Sequence, residues 1–377
     1  MHIYFVFALS VLSGTSVFAT RVVMSLYALS LGAEPFTIGL LAATFSLFPM
    51  LLAVTAGKLI DRFGPRWPMT LGAVGSGLGM LVPYFFPGLP AIFIASAMSG
   101  LAIVFFNLAT QNLVGVLSGP DNRAKNFSNY SLTVAASNFL GPLIGGFSVD
   151  HVGHVTACLH LALLTVVPVA ILAFLGGALP GGTVPSGTSG GGIRAMLSNP
   201  VVRRTLITGS LINAGINMYQ FYLPVYAHSI GLSASTIGMI LAMNSSAAFV
   251  VRFVLPRLLG KYSEEQLLTY AFVLGATGLT LLPVITHPLL LGLVSFIFGI
   301  GMGCGQPIVT MLMFSSSRDG RSGEALGLKV TTNQLTKLVG PVVFGAIASA
   351  FGLSPMFWVN AAMMAAGGMI SRPKKDT

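Results

Sequence analysis

The sequence predicts an all-α integral membrane protein, with twelve transmembrane helices in two pseudo-symmetric six-helix bundles. Three observations carry that expectation. The 377 residues are 54% hydrophobic and only 7% charged, where a soluble domain carries roughly 25% charged residues. Apolar stretches of about 20 residues, enough to cross a bilayer at about 1.5 Å per residue, follow one another along the whole chain. One spacing, 199 residues, relates the first half to the second.

The spans fall near 3–30, 35–57, 67–87, 89–117, 124–150, 154–176, 201–229, 233–258, 265–286, 288–314, 324–350 and 354–371. The first apolar run lacks a basic leader and continues past Ala19, so it reads as a retained span. The repeat carries Thr37-Ile38-Gly39 onto Thr236-Ile237-Gly238. It also carries Tyr27, Gly32, Gly100, Gly141-Pro142, Gly146 and Gly153 onto Tyr226, Gly231, Gly299, Gly340-Pro341, Gly345 and Gly352. A single offset held over five spans means two copies of one unit with nearly equal loops. The organisation is therefore an N-terminal bundle (1–176), a cytoplasmic linker (177–200), a C-terminal bundle (201–371) and a short tail (372–377). The linker is rich in Gly, Pro, Ser and Thr, a flexible connector with a short helix at most.

Arginine and lysine occupy alternate loops, after spans two, four, six, eight and ten and in the tail; the intervening loops contain neither. The positive-inside rule then places both termini in the cytoplasm of a cell (inner) membrane. The net charge of +10 is spread over these loops, so no basic patch suggests nucleic acid. Cys158 and Cys304 lie in apolar runs and read as packing residues, and neither metal nor cofactor is expected.

The densest charged stretch is Gly57-Lys58-Leu59-Ile60-Asp61-Arg62-Phe63-Gly64-Pro65-Arg66. Its charges and glycines predict a short loop between spans two and three. Gly57, Asp61, Arg62, Gly64 and Arg66 resemble the loop signature of the major facilitator superfamily; Pro65 stands where the usual form has a basic residue. The resemblance implies a secondary transporter working by alternating access, with the aspartate and arginine latching the cytoplasmic side in the outward-facing state. The second copy, Pro256 to Ser263, has Gly260 in place of the acid. Gly141, Pro142, Gly145 and Gly146 on span five resemble the core of the superfamily's antiporter motif, with Ser137 and Ser128 where the motif has further glycines. That resemblance implies export or exchange. The glycines from Gly299 to Gly305 lie inside span ten with no strand before them, so they read as helix packing rather than phosphate binding.

Four cations lie inside spans, Arg21, Arg252, Lys329 and Lys337, and no Asp or Glu lies mid-span. Each cation costs about 2.5–3.5 kcal/mol on insertion scales, so the set needs a reason. Lys329, Asn333 and Lys337 share one helical face at i, i+4, i+8. Asn213, Asn217 and Gln220 on span seven, and Asn107 with Gln111 on span four, form further polar stripes. Together they predict a polar central cavity of positive potential. The placement of Arg252, one turn before its loop, with a lysine on span eleven, also resembles anion-carrying facilitators. The leading expectation is therefore export or exchange of a small organic anion, coupled to a proton or a counter-anion. The alternative is a proton-driven drug or metabolite efflux pump, although span four lacks the usual membrane arginine. An embedded enzyme would need a mid-membrane carboxylate, histidine or metal cluster, and His160 has no such company. A non-transporting receptor on this fold is the remaining class.

Overall fold

A computed structural model describes residues 3–117, 123–175, 198–315 and 322–372. These residues form helices joined by short turns, with no strand among them. Helix α1 spans Ile3–Ser30, α2 Pro35–Phe63, α3 Arg66–Phe85 and α4 Leu89–Leu117. One helical run, Arg123–Leu175, is broken at Gly153; its limbs, 123–152 and 154–175, are α5 and α6. The second half consists of α7 Pro200–Ser229, α8 Ala234–Leu259, α9 Glu264–Leu281, α10 Pro288–Ser315, α11 Ser322–Phe351 and α12 Leu353–Ser371. Residues 177–197 of the expected linker and 373–377 of the tail lie outside the described residues.

Local chemistry explains the boundaries. Pro35 and Pro200 open their helices where no N–H is needed. Ser263 and Gln266 cap α9 reciprocally. The repeat extends to backbone conformation: Gly32 and Gly153 turn at φ 78°, and their counterparts Gly231 and Gly352 turn at 83° and 92°. Only glycine adopts that region without steric penalty.

The charged stretch 57–66 is not a loop along its length. The α2 helix runs through Asp61 and Arg62 to Phe63; Gly64 (φ 78°) ends it, donating its N–H to Ile60 O at 2.8 Å, and Pro65 caps the start of the next helix at Arg66. Charge ends a membrane span but does not end a helix, and no backbone breaker follows Gly57 until Gly64. Nine stretches among the described residues are long and apolar enough to cross a membrane; one, Asn129–Phe174, is 46 residues long and holds both α5 and α6. The polar helix α7 is not among them. Most of its length is buried against other helices, so it presents little surface to lipid.

In the first bundle α1 packs on α5 and α6, and α3 and α2 pack on α4; in the second, α10 packs on α8 and α9, α12 on α9 and α11 on α7. The bundles meet along two seams, α5 against α8 and α2 against α11, with α1 and α7 between them. The seams are equivalent under the repeat. A methyl added to Gly238 would lie 2.4 Å from Pro142 O, and one added to Gly39 would lie 2.4 Å from Pro341 O. Small residues here let backbones touch. Both seams close at the end whose loops carry no Arg or Lys, hereafter the non-basic end.

Candidate functional site

Arg21 lies on α1 nine residues inside its non-basic end, about 14 Å of helix. It faces Gln220, its own counterpart under the repeat, and donates from Nη1 to Gln220 Oε1 at 3.1 Å. The guanidinium carbon lies 4.8 Å from the ring centre of Phe45, 5.3 Å from Phe18 and 5.9 Å from Phe221. Such cation–π contacts contribute about 2 kcal/mol or more each in a desolvated site. They do not use up the donors: Arg21 Nε is buried and without a hydrogen-bond partner. Beside it a chamber of about 20 Å³ between the bundles is lined by Phe18, Asn138, Gln220, Asn244 and Ser245 among others. Ser245 Oγ donates to Asn138 O at 3.0 Å, joining α8 to α5 at this height.

Lys337 on α11 lies within electrostatic reach of Arg21, and the two cations repel. Among the described residues, one ion pair occurs, Arg204 with Glu265 at 3.1 Å. Arg204 also donates to Ile370 O and Arg372 O, so it ties α7 to α9 and to the end of α12. Arg204 is a cation with a structural explanation. Arg21 has aromatic rings and an amide instead of a carboxylate, an arrangement that leaves room for an anion.

The other expected residues separate into groups. Lys329 lies eight residues, about 12 Å, toward the basic end from Lys337 and donates to Thr310 Oγ1. Asn213 and Asn217 are buried; Asn217 Nδ2 donates to Asn213 O at 2.6 Å, and Asn213 Nδ2 donates to Asn333 O at 2.9 Å. These amides satisfy one another and the backbone of α11 rather than opening into the chamber. Asn107 lines a different cavity, inside the first bundle, and Gln111, one turn further along α4, is exposed. Thus the structure joins Arg21 and Gln220, and separates Lys329, Asn107 and Gln111 from them. The side chains of Asp61, Arg62 and Arg252 lie outside the described ones.

Around the expected gating residues, Arg66 donates to Ala173 O at 3.1 Å, joining α3 to α6. The span-five glycines place α5 between two neighbours. Methyls added to Gly141 or Gly145 would lie 2.5 Å from Phe18 Cβ or 3.0 Å from Ala19 O on α1, and one on Gly146 would lie 2.3 Å from Ala234 O on α8. Sequence reasoning missed the aromatic ring around Arg21. Phe18 sits one turn before Arg21 and Phe221 follows Gln220, a signal that is visible only once the two positions are known to face. It also missed Asp150, whose carboxylate accepts from Ala234 N (2.9 Å) and Ser235 N (2.7 Å) across the seam.

The chain is 22% identical over 334 residues to the quinolone resistance protein NorA of Staphylococcus aureus, covering 86% of this chain and 84% of that one. It is 21% identical over 357 residues to the uncharacterized MFS-type transporter MJ1560 of Methanocaldococcus jannaschii, covering 93% and 92%. A crystal structure of a variant of the nucleoside transporter NupG superposes with a TM-score of 0.81 at 11% identity, covering 98% of this chain and 99% of that one, a likeness of fold. The family model of the Major Facilitator Superfamily matches residues 6–336, and the chain belongs to that superfamily.

Proposed function

We propose that this multi-pass transporter moves a small organic anion by alternating access, as an exporter or exchanger, with Arg21 as its central recognition group. One observation carries the reading: Arg21 is held between the bundles by three phenylalanines and Gln220, with Nε unpartnered and no carboxylate against it among the described residues. A mid-membrane cation is costly to insert and marks a candidate substrate path by default. Lys337 supplies a second positive charge nearby. Both termini face the cytoplasm, and the bundles 1–176 and 201–371 rock about the chamber. Asp61 and Arg62 latch the cytoplasmic side, and a counter-anion or proton returns the carrier.

The test is uptake into proteoliposomes against a panel of carboxylates, cations and neutral compounds. Arg21→Gln is expected to lower uptake of the preferred carboxylate about ten- to a hundredfold, the loss of one charge-assisted contact in a dry site. A cationic best substrate, or unchanged uptake in the variant, overturns the reading. A second reading, proton-driven drug efflux, is favoured by the similarity to a protein named for quinolone resistance. It requires transport of structurally varied cations or neutral drugs that tracks an imposed pH gradient.

A further inference from the structure

The polar groups around the Arg21 chamber divide into donors and acceptors. Gln220 Oε1 accepts from Arg21 Nη1, which leaves Gln220 Nε2 and Arg21 Nη2 to donate. Asn138 and Asn244, also in the chamber wall, are the reverse. Asn138 Nδ2 donates to Val134 O and Asn244 Nδ2 to Ser295 O, both at 3.0 Å. A carbonyl only accepts, so each amide turns its nitrogen toward it and its oxygen away. Neither Oδ1 is a buried atom left without a partner, so both remain open to a small group in the chamber.

The repeat shows that this division is one-sided. Asn138 and Asn244 correspond to Lys337 and Phe45, and Phe45 is the nearest of the three rings to the guanidinium. Amide oxygens therefore flank Arg21 on the α5–α8 side, whereas the α2–α11 side offers a ring and a second cation. The bond from Ser245 Oγ to Asn138 O holds the amide side together. The chamber, about 20 Å³ and not sealed, has room for one water-sized group, which needs about 10–15 Å³.

We infer that the chamber takes the hydroxyl of a 2-hydroxycarboxylate, whose carboxylate lies at the chamber mouth on Arg21 and Gln220 while the hydroxyl donates to Asn138 Oδ1 or Asn244 Oδ1. This rests on the anion reading above and names its substrate class. Size sets the position of the hydroxyl. A space for one group, with Arg21 itself in the wall, fits a substituent on the carbon next to the carboxyl and not one further along. Charge sets its kind. An ammonium in the same place would be buried beside Arg21, with Lys337 in electrostatic reach of that arginine and no Asp or Glu at mid-span to offset it. A hydroxyl is neutral and needs only one acceptor.

The experiment measures binding of 2-hydroxypropanoate, 3-hydroxypropanoate, propanoate and 2-aminopropanoate to the purified full chain. Wild type is expected to bind the first about tenfold more tightly than each of the others, the effect of one buried hydrogen bond or two. Asn138→Leu, whose amide side chain bonds only its own helix, and Asn244→Leu each lower the ratio of 2-hydroxypropanoate to propanoate, and together they bring it to about one. Arg21→Gln weakens the acids together and keeps the ratio. A wild-type ratio of about one, equal affinity for the 2- and 3-hydroxy acids, or a preference that survives the double variant overturns the hydroxyl assignment. So does tighter binding of 2-aminopropanoate. The comparison among the four acids needs no variant, so it stands even where a substitution impairs folding. Equal affinity of wild type and Arg21→Gln for propanoate overturns the anion reading instead.

Discussion

The seam of α5 on α8 and the seam of α2 on α11 are copies in backbone and differ in chemistry. In both, a glycine lies against a proline carbonyl and a second glycine lies against the first turn of the partner helix: Gly238 with Pro142 and Gly146 with Ala234 in one, Gly39 with Pro341 and Gly345 with Pro35 in the other. At the non-basic end the first seam is closed by a charge, Asp150 accepting from two N–H groups at the start of α8. At the equivalent place in the second seam, Ser349 Oγ accepts from one, Phe36 N, at 3.0 Å. A tyrosine compensates: the Tyr222 hydroxyl lies 2.7 Å from Pro341 O and 3.3 Å from Pro35 O, where its counterpart Val23 has no hydroxyl to offer. Close approach was kept in both copies because any side chain there would hold the bundles apart. The bonds that finish each seam were free to differ, so one seam is ionisable and the other is not.

The largest effect tests what the seams share. Gly39→Val and Gly238→Val each force atoms into a proline carbonyl already at contact, and overpacking of this kind costs about 1–3 kcal/mol. Each variant should shift the closed state of the non-basic end toward open by roughly five- to a hundredfold, with a matching fall in transport. Accessibility of a cysteine introduced at the chamber, read from the non-basic side, measures the shift. Equivalence of the seams fails if one valine is inert while the other inactivates.

A middle-sized effect tests how they differ. Hydrogen bonds to a charged group contribute about 1.5–3 kcal/mol, and a carboxylate at a helix N-terminus gains about 0.3–1 kcal/mol from the dipole. Asp150→Asn should therefore loosen closure about tenfold. Burial pulls the Asp150 carboxyl up, but hydrogen bonds from Ser235 and Ala234 outweigh it and hold the group below its ordinary value, so closure is full at neutral pH and weakens only as pH falls below the usual carboxylate range and the group protonates. Acidifying the non-basic side should raise chamber accessibility in wild type and leave Asp150→Asn unmoved. An acid response that persists in the variant assigns the pH dependence to another group at this end.

Much of this was legible in the sequence. Hydropathy and turn glycines located the helices, because a membrane admits only backbone that is bonded within its own segment. The 199-residue offset named equivalent positions, and Gly39 and Gly238 proved to hold the same place in the two seams. The charged stretch misled at one point: the second span is expected to end at Gly57, whereas the helix obeys backbone breakers and continues to Phe63. The site was legible only in part. Arg21, Gln220 and Lys337 stood out as intramembrane polar groups, but which of the polar stripes converge depends on helix rotation, and a one-dimensional pattern does not contain it. Asn213 and Asn217 looked like ligands and instead bond each other.

The smallest effect probes the neutral seam. Ser349→Ala removes one hydrogen bond near the surface and Tyr222→Phe removes a hydroxyl shared between two carbonyls. Neutral bonds contribute about 0.5–1.5 kcal/mol each, so either change alone should shift closure by about two- to tenfold, less than Asp150→Asn. Because both act on the start of α2 and the non-basic half of α11, their effects should not add independently. The double variant reports the coupling, and neither single variant should alter the response to acid. If Ser349→Ala instead matches Asp150→Asn in size, or if Tyr222→Phe abolishes the acid response, the division into one charged seam and one neutral seam is wrong, and the two close as a single cooperative unit.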